Sequence, residues 1–262
     1  MTLIDTHSHI YAEEFDDDRD EVIARALAAG VRHIILPDVD STSRAQMSEL
    51  ATRYDCCSMM VGLHPTSVNE IPAWREELSH IEALLAEDAS RYVAVGEIGM
   101  DLYWSRDYEQ EQREALRFQI DLALKYNLPI DVHVREAWDE LLEELEPYAK
   151  SGLRGVIHAF TGEERHYRKI LELGDFLFGI GGVVTFKKSK LADVVAIMDI
   201  QHIVFETDAP YLTPAPYRGK RNEPAYIPYI ASRVSELLAL PLDVVARQTT
   251  ANALRMFGGV SC

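Results

Sequence analysis

Leu3-Ile4-Asp5-Thr6-His7-Ser8-His9 is the stretch from which the fold of this chain can be read. Its apolar start marks a strand. Alternate side chains of a strand share a face, so Asp5, His7 and His9 are expected to project the same way, the two imidazoles at the strand's end and the carboxylate one layer below. Runs of the same kind, apolar or β-branched, return at 33–39, 58–64, 92–99, 128–134, 154–160, 176–182 and 203–208. Several of them also finish on an imidazole or a carboxylate.

Helical patterns separate these runs. In 20–29, Val22, Ile23, Ala26 and Leu27 fall on one stripe, and in 109–126 Leu116, Ile120, Ala123 and Leu124 do the same. Ala29-Gly30 and Leu173-Gly174 close their helices with glycine, and Asn127-Leu128-Pro129 follows another. Eight strands alternating with helices, followed by a last helical stretch at 242–257, predict an α/β protein of the (β/α)8 TIM-barrel class rather than an open doubly wound sheet. No linker divides the chain, so 1–262 is expected to be a single domain. The third and fourth crossovers are long enough for extra turns. The segment 212–228, with four prolines, is expected to be a loop after the eighth strand.

Hydrophobic residues make up 47% of the 262-residue chain and charged residues 26%, an ordinary globular composition. The formal net charge of −17 argues against binding nucleic acid through a broad basic field, though a local phosphate site remains compatible with it. Cys56, Cys57 and Cys262 make no disulfide framework. The chain turns acidic at once after Met1 and has no apolar run of membrane-spanning length. A cytoplasmic protein, with no membrane association, leader or obligate protein partner, is the expectation.

The strand ends carry the chemistry. By alternation Glu97 goes with Val93 and Val95, His133 with Asp131, His158 with Val156 and Phe160, and Asp208 with Glu206. With His7 and His9 they make six candidate ligands converging on the rim where barrel enzymes place their active sites, and imidazole plus carboxylate suits Zn, Mn or Mg. Six ligands exceed the needs of one tetrahedral ion. The expected arrangement is two divalent ions, one on His7, His9 and Asp208 and one on His133 and His158, with Glu97 bridging. Asp5, Asp131 and Glu206 are expected beneath them, orienting imidazole N–H groups, or for Asp131 equally a salt bridge inside the barrel. His33, His80, His166 and His202 fall at strand starts or in helices, away from the rim.

These residues resemble the TatD family of metal-dependent hydrolases, a branch of the amidohydrolase-like barrels. The resemblance runs nearly end to end: Asp5-Thr6-His7-Ser8-His9, Gly62-Leu63-His64-Pro65, Gly96-Glu97-Ile98-Gly99-Met100-Asp101, His133-Val134-Arg135, His158-Ala159-Phe160-Thr161-Gly162, Glu206-Thr207-Asp208-Ala209-Pro210-Tyr211-Leu212, Arg221-Asn222-Glu223-Pro224 and Asn252-Ala253-Leu254-Arg255-Met256-Phe257. It implies a (β/α)8 barrel, divalent metal ions and hydrolysis of phosphodiesters in DNA, often as an exonuclease. The same six residues then become the implied metal ligands. Glu97 stands where related amide, lactone and phosphotriester hydrolases often have a carbamylated lysine. One departure concerns Gly-x-His-Pro-His, which many relatives have and which here ends in Thr66, leaving His64 alone to face phosphate.

The chemistry that follows is attack of an activated water on phosphorus, with Asp208 taking the proton, Glu206 a second candidate for that task, and His64 donating to a nonbridging oxygen. The expected substrate is DNA, single-stranded or at strand ends. Arg135, Lys188, Lys220 and Arg221 are the candidate phosphate contacts, with Lys187, Lys190 and Arg218 beside them. The lysines of 187–190 equally suit a solvated first helical turn, and Arg221 equally suits a pair with Glu223. Tyr103, Trp104, Tyr211 and Tyr217 suit base stacking or packing over the barrel. The competing expectations are hydrolysis of a carboxylic ester or amide, such as a lactone or aminoacyl ester, on the same metals, and a non-catalytic metal-binding scaffold.

Overall fold

The computed structural model describes residues 1–260, so Cys262 lies outside the described residues. Eight parallel strands, β1 (Leu3–Asp5), β2 (Val31–Leu36), β3 (Cys57–Val61), β4 (Tyr92–Asp101), β5 (Ile130–Arg135), β6 (Arg154–Ile157), β7 (Asp175–Ile180) and β8 (Ile203–Phe205), pair in chain order. The sheet curls back on itself: Thr6 N–H donates to Phe205 O at 3.0 Å, Asp208 N–H to His7 O at 2.9 Å, and Ser8 bridges Ala209. The expected (β/α)8 barrel is therefore observed.

Around it lie α1 (Arg19–Ala28), α2 (Arg44–Arg53), α3 (Pro65–Glu70), α4 (Trp74–Asp88), α5 (Glu109–Tyr126), α6 (Trp138–Leu145), α7 (Glu164–Leu173), α8 (Leu191–Val195), α9 (Ile227–Leu238) and α10 (Leu242–Met256). The long third crossover holds α3 and α4. Among the described residues no helix is long and apolar enough to cross a membrane. Two local expectations change. Pro224–Tyr226 forms a 3-10 turn and α9 begins at Ile227, so Pro228 sits in a first helical turn, where its missing N–H costs nothing. Lys187 and Lys188 lie in a turn before α8, not in its first turn.

The core has two layers. Ile4, Ile35, Met60, Ala94, Val156, Leu177 and Val204, one from each of seven strands, cluster with Ala253, Met256 and Phe257. Side chains from seven strands can meet only in the lumen, so these residues fill the barrel's lower interior and the C-terminal end of α10 plugs it. The larger cluster, with Leu3, Ile34, Val95, Ile130, Ile157, Phe178 and Phe205, packs between the sheet and the helices.

This division corrects the alternation argument on two strands. Ile4 and Ala94 are inside, so unbroken strands would turn His7 and Glu97 outward. They face in because the ladders are irregular. The β1 ladder ends at Asp5, and the β4–β5 register shifts between Gly96 and Ile98, which restores Glu97 to the interior. On β5 and β6, alternation from Asp131 and Val156 places His133 and His158 as expected, whereas Asp208 lies three residues beyond the end of β8 with a φ of +54° and is set by its N–H bond to His7 O.

Candidate metal centre

Glu97 is the centre of the upper barrel. Its Oε1 lies 2.9 Å from His133 Nδ1, 3.2 Å from His158 Nε2 and 3.3 Å from His64 Nε2. Its Oε2 faces the other way, 3.3 Å from His7 Nε2 and 3.8 Å from His9 Nε2. Asp208 Oδ1 joins this second group, 3.4 Å from His9 Nε2 and 3.8 Å from His7 Nε2. His7 and His158 stack across the middle with ring centroids 3.7 Å apart. Three sets of ligand atoms lie close enough to share an ion: His7, His9 and Asp208; His7, Glu97 and His158; and His64, Glu97 and His133.

The hydrogen bonds beneath decide which nitrogens are free. Asp131 Oδ2 accepts from His7 Nδ1 at 2.8 Å, both groups fully buried, which leaves a lone pair on His7 Nε2. Tyr11 donates its hydroxyl proton to Pro37 O at 2.7 Å, so His9 Nδ1–H must donate to the Tyr11 oxygen at 2.8 Å, and His9 Nε2 is also a lone pair. These two nitrogens face each other at 3.1 Å. Two opposed lone pairs at that distance repel unless a cation or a proton sits between them. The donor set therefore fits a divalent ion, and the residues beneath it orient the imidazoles as metal sites require.

His64 differs. Its Nδ1 accepts from Thr66 N–H at 3.1 Å and meets the Thr66 hydroxyl at 2.7 Å, so the neutral ring carries its proton on Nε2. His64 is thus a donor aimed into the cluster, although its distances alone would admit it as a ligand.

Charge follows from this packing. Burial pushes the Glu97 carboxyl up, but His64, His158 and His7 outweigh it and hold Glu97 well below the usual range. Burial also opposes the charged form of Asp208, yet the neighbouring imidazoles of His9, His158 and His7 lower it. Burial and His158 work against a proton on His7, and Glu97 and Asp131 overcome both, raising it to about 10. His158 is likewise raised well above its ordinary value, burial being outweighed by Glu97 and Glu206.

Several expected residues are placed elsewhere. Asp5 orients no imidazole: it accepts from Thr207 N–H at 2.9 Å, the Thr207 hydroxyl at 2.5 Å and His7 N–H at 3.4 Å, tying the chain after β8 to the chain after β1. Glu206, expected as a second proton acceptor, is fully buried beneath His158, its Oε1 accepting Ala159 N–H at 2.5 Å and lying 3.4 Å from His158 Nδ1. It does not line the cleft. Arg221 pairs with Asp18 at 2.8 Å, donates to Glu14 O and covers the Phe15 ring, while Glu223 is taken by Arg25 at 2.6 Å. Lys188 is exposed in its turn, and Lys220 Nζ lies 5.7 Å from the Tyr217 ring.

Above the cluster opens a cleft of about 830 Å³ lined by His9, His64, Glu97, His133, His158 and Asp208 among others. Among the described residues, Arg135 is the only Lys or Arg that lines it. The sequence argument passed over Asp101, whose Oδ2 lies 3.0 Å from His133 Nε2 and so leaves His133 Nδ1 for Glu97's side of the site. Its signal was available, since Asp101 follows Glu97 by four residues on one strand. Tyr11 was also missed and stands at the same interval from His7.

Residues 4–258 match the family described as TatD related DNase. The chain belongs to the TatD family. Its relatives include the uncharacterized metal-dependent hydrolase YabD of Bacillus subtilis, 38% identical, with 97% of this chain and 98% of the relative covered. The 3'-5' ssDNA/RNA exonuclease TatD of Klebsiella pneumoniae is 31% identical, with 98% of each covered. Among solved structures, the TatD homolog YjjV of Escherichia coli K12 superposes with a TM-score of 0.90 at 30% identity, covering 97% of both chains. The barrel described above is thus the fold of that solved TatD homolog.

Proposed function

We propose that this TatD-family metal-dependent hydrolase cleaves phosphodiester bonds in single-stranded nucleic acid, DNA ends foremost, with the help of two divalent ions that Glu97 and the residues around it would hold. The observation that carries the proposal is the double-sided environment of Glu97, whose two oxygens face separate groups of imidazoles. His7, His9 and Asp208 would hold one ion, and His133 and His158 the other. Bound there, Zn, Mn or Mg would bring a water's pKa toward neutrality and offset phosphate charge.

The chain's own groups supply the rest. Asp208, ionised at neutral pH and on the cleft wall, accepts the proton of the attacking water as the oxygen–phosphorus bond forms and the ester oxygen departs. His64 donates Nε2–H to a nonbridging oxygen, and Thr66 keeps that proton on Nε2. Asp131, Tyr11 and Asp101 hold His7, His9 and His133 in their tautomers. Glu206 positions His158 and the backbone at Ala159. The exonuclease relatives and the arginine on the cleft wall support a nucleic-acid strand as substrate.

The test is hydrolysis of an end-labelled single-stranded DNA oligonucleotide by metal-stripped protein, with Mg, Mn or Zn restored and Asp208→Ala in parallel. Stepwise shortening that needs metal and fails in the variant is expected. Intact DNA after incubation with folded, metal-loaded protein would overturn the proposal and direct the search to carboxylic esters and amides.

A further inference from the structure

Tyr103 and Trp104 follow directly on β4, Trp104 on the wall of the cleft, and the chemistry around Glu97 makes no use of them. Trp104 is 69% exposed and Tyr103 52%, beside Met100 and Leu102, which are buried. Their rings meet edge to face with centroids 4.9 Å apart. Arg135 reaches them from the end of β5, where its backbone pairs with Asp101. Its guanidinium carbon lies 3.7 Å from the Tyr103 centroid and 5.4 Å from that of Trp104.

Arg135 has no carboxylate partner among the described residues, in a chain of net charge −17. It stands two residues beyond His133, and with Trp104 it lines the cleft. An exposed indole and phenol carry flat π faces that water solvates poorly, and an uncompensated guanidinium beside them attracts an anion. A planar apolar ring joined to a phosphate satisfies both, and an unpaired nucleotide is such a group.

We propose that Tyr103, Trp104 and Arg135 form a platform that stacks the unpaired nucleobase next to the scissile phosphodiester and pairs with its phosphate. The inference rests on the phosphodiesterase reading above. It selects single strands because a base inside a duplex has both faces covered by its neighbours.

The test compares a fluorescently labelled oligothymidylate with the same strand carrying abasic residues. Binding is measured by anisotropy on the full chain stripped of metal, so that the strand is not consumed. The base-bearing strand is expected to bind about tenfold to a hundredfold more tightly. Trp104→Ala removes that preference, and Trp104→Phe keeps most of it. Equal affinity for the two strands, or a preference that survives Trp104→Ala, would overturn the platform. Hydrolysis of the oligothymidylate by the wild-type chain is followed in parallel. A base preference without hydrolysis would support the platform and overturn the phosphodiesterase reading.

Discussion

Removing and restoring the metal should expose protons held in the ligand cluster. In the metal-free chain, His7 and His9 point unprotonated Nε2 atoms at each other across 3.1 Å, a contact relieved by one proton between them. That agrees with the value of about 10 for His7, where Glu97 and Asp131 overcome burial and His158. His158, between Glu97 at 3.2 Å and Glu206 at 3.4 Å, holds a second proton for the same reason. Metal ions bind imidazole only after these protons leave. Loading the whole site at pH 7 should therefore release at least these two protons, with a further share from His133, where burial is outweighed by Asp101 and Glu97, and each displaced proton contributes about 1.4 kcal/mol per pH unit. Overall metal affinity should rise at least about a hundredfold from pH 7 to pH 8. The stability of the metal-free chain runs the other way: both groups are raised, so their contribution is full below the unfolded histidine value near 6.5 and is lost as pH climbs toward about 10 for His7. Calorimetric titration of Mn into stripped protein, in two buffers of equal pH but different ionisation enthalpy, counts the protons. Release near zero, or an affinity flat between pH 7 and 8, would refute the reasoning.

Two further outcomes follow from particular contacts. Arg221→Ala removes a partly exposed pair with Asp18 (about 0.5 kcal/mol), a cation over Phe15 (about 0.5–1) and a donor to Glu14 O (about 1), so thermal unfolding should fall by roughly 4–8 °C while oligonucleotide affinity stays unchanged. A loss of affinity with unaltered melting would return Arg221 to the substrate. Gly99→Ala would set a Cβ 1.9 Å from His133 O at a residue whose φ is +147°, forcing β4 from β5 at a cost of about 3 kcal/mol or more and dropping the melting temperature by roughly 6–12 °C. Wild-type melting would show that the two strands separate more freely than the close approach allows.

The sequence pointed to the residues that meet around Glu97 better than to the reason for their orientation. Period-two alternation is valid only along an unbroken ladder, which β5 provides to His133 and β6 nearly to His158, while β8 stops three residues short of Asp208. It reached His7 and Glu97 from the wrong neighbours, since Ile4 and Ala94 occupy the lumen. The register shift that turns Glu97 inward depends on how β4 meets β5, a pairing made by residues more than thirty positions apart. A hint was present in Gly96 and Gly99, because glycine inside a strand marks a bulge or close backbone approach, and a Cβ at Gly96 would lie 2.5 Å from Asp131 Cβ. The same hint would have extended β4 to Asp101 and revealed the partner of His133. Charges on loops were least legible. Arg221 has a basic side chain in a loop near the rim, as a phosphate contact would, but Asp18 lies 203 residues away in the chain and claims it first. Arg135 is basic in the same way, and only the absence of any such partner leaves it free to meet substrate. What separates the two arginines is where the neighbouring carboxylates fall in space, and that is settled by the closure of the barrel.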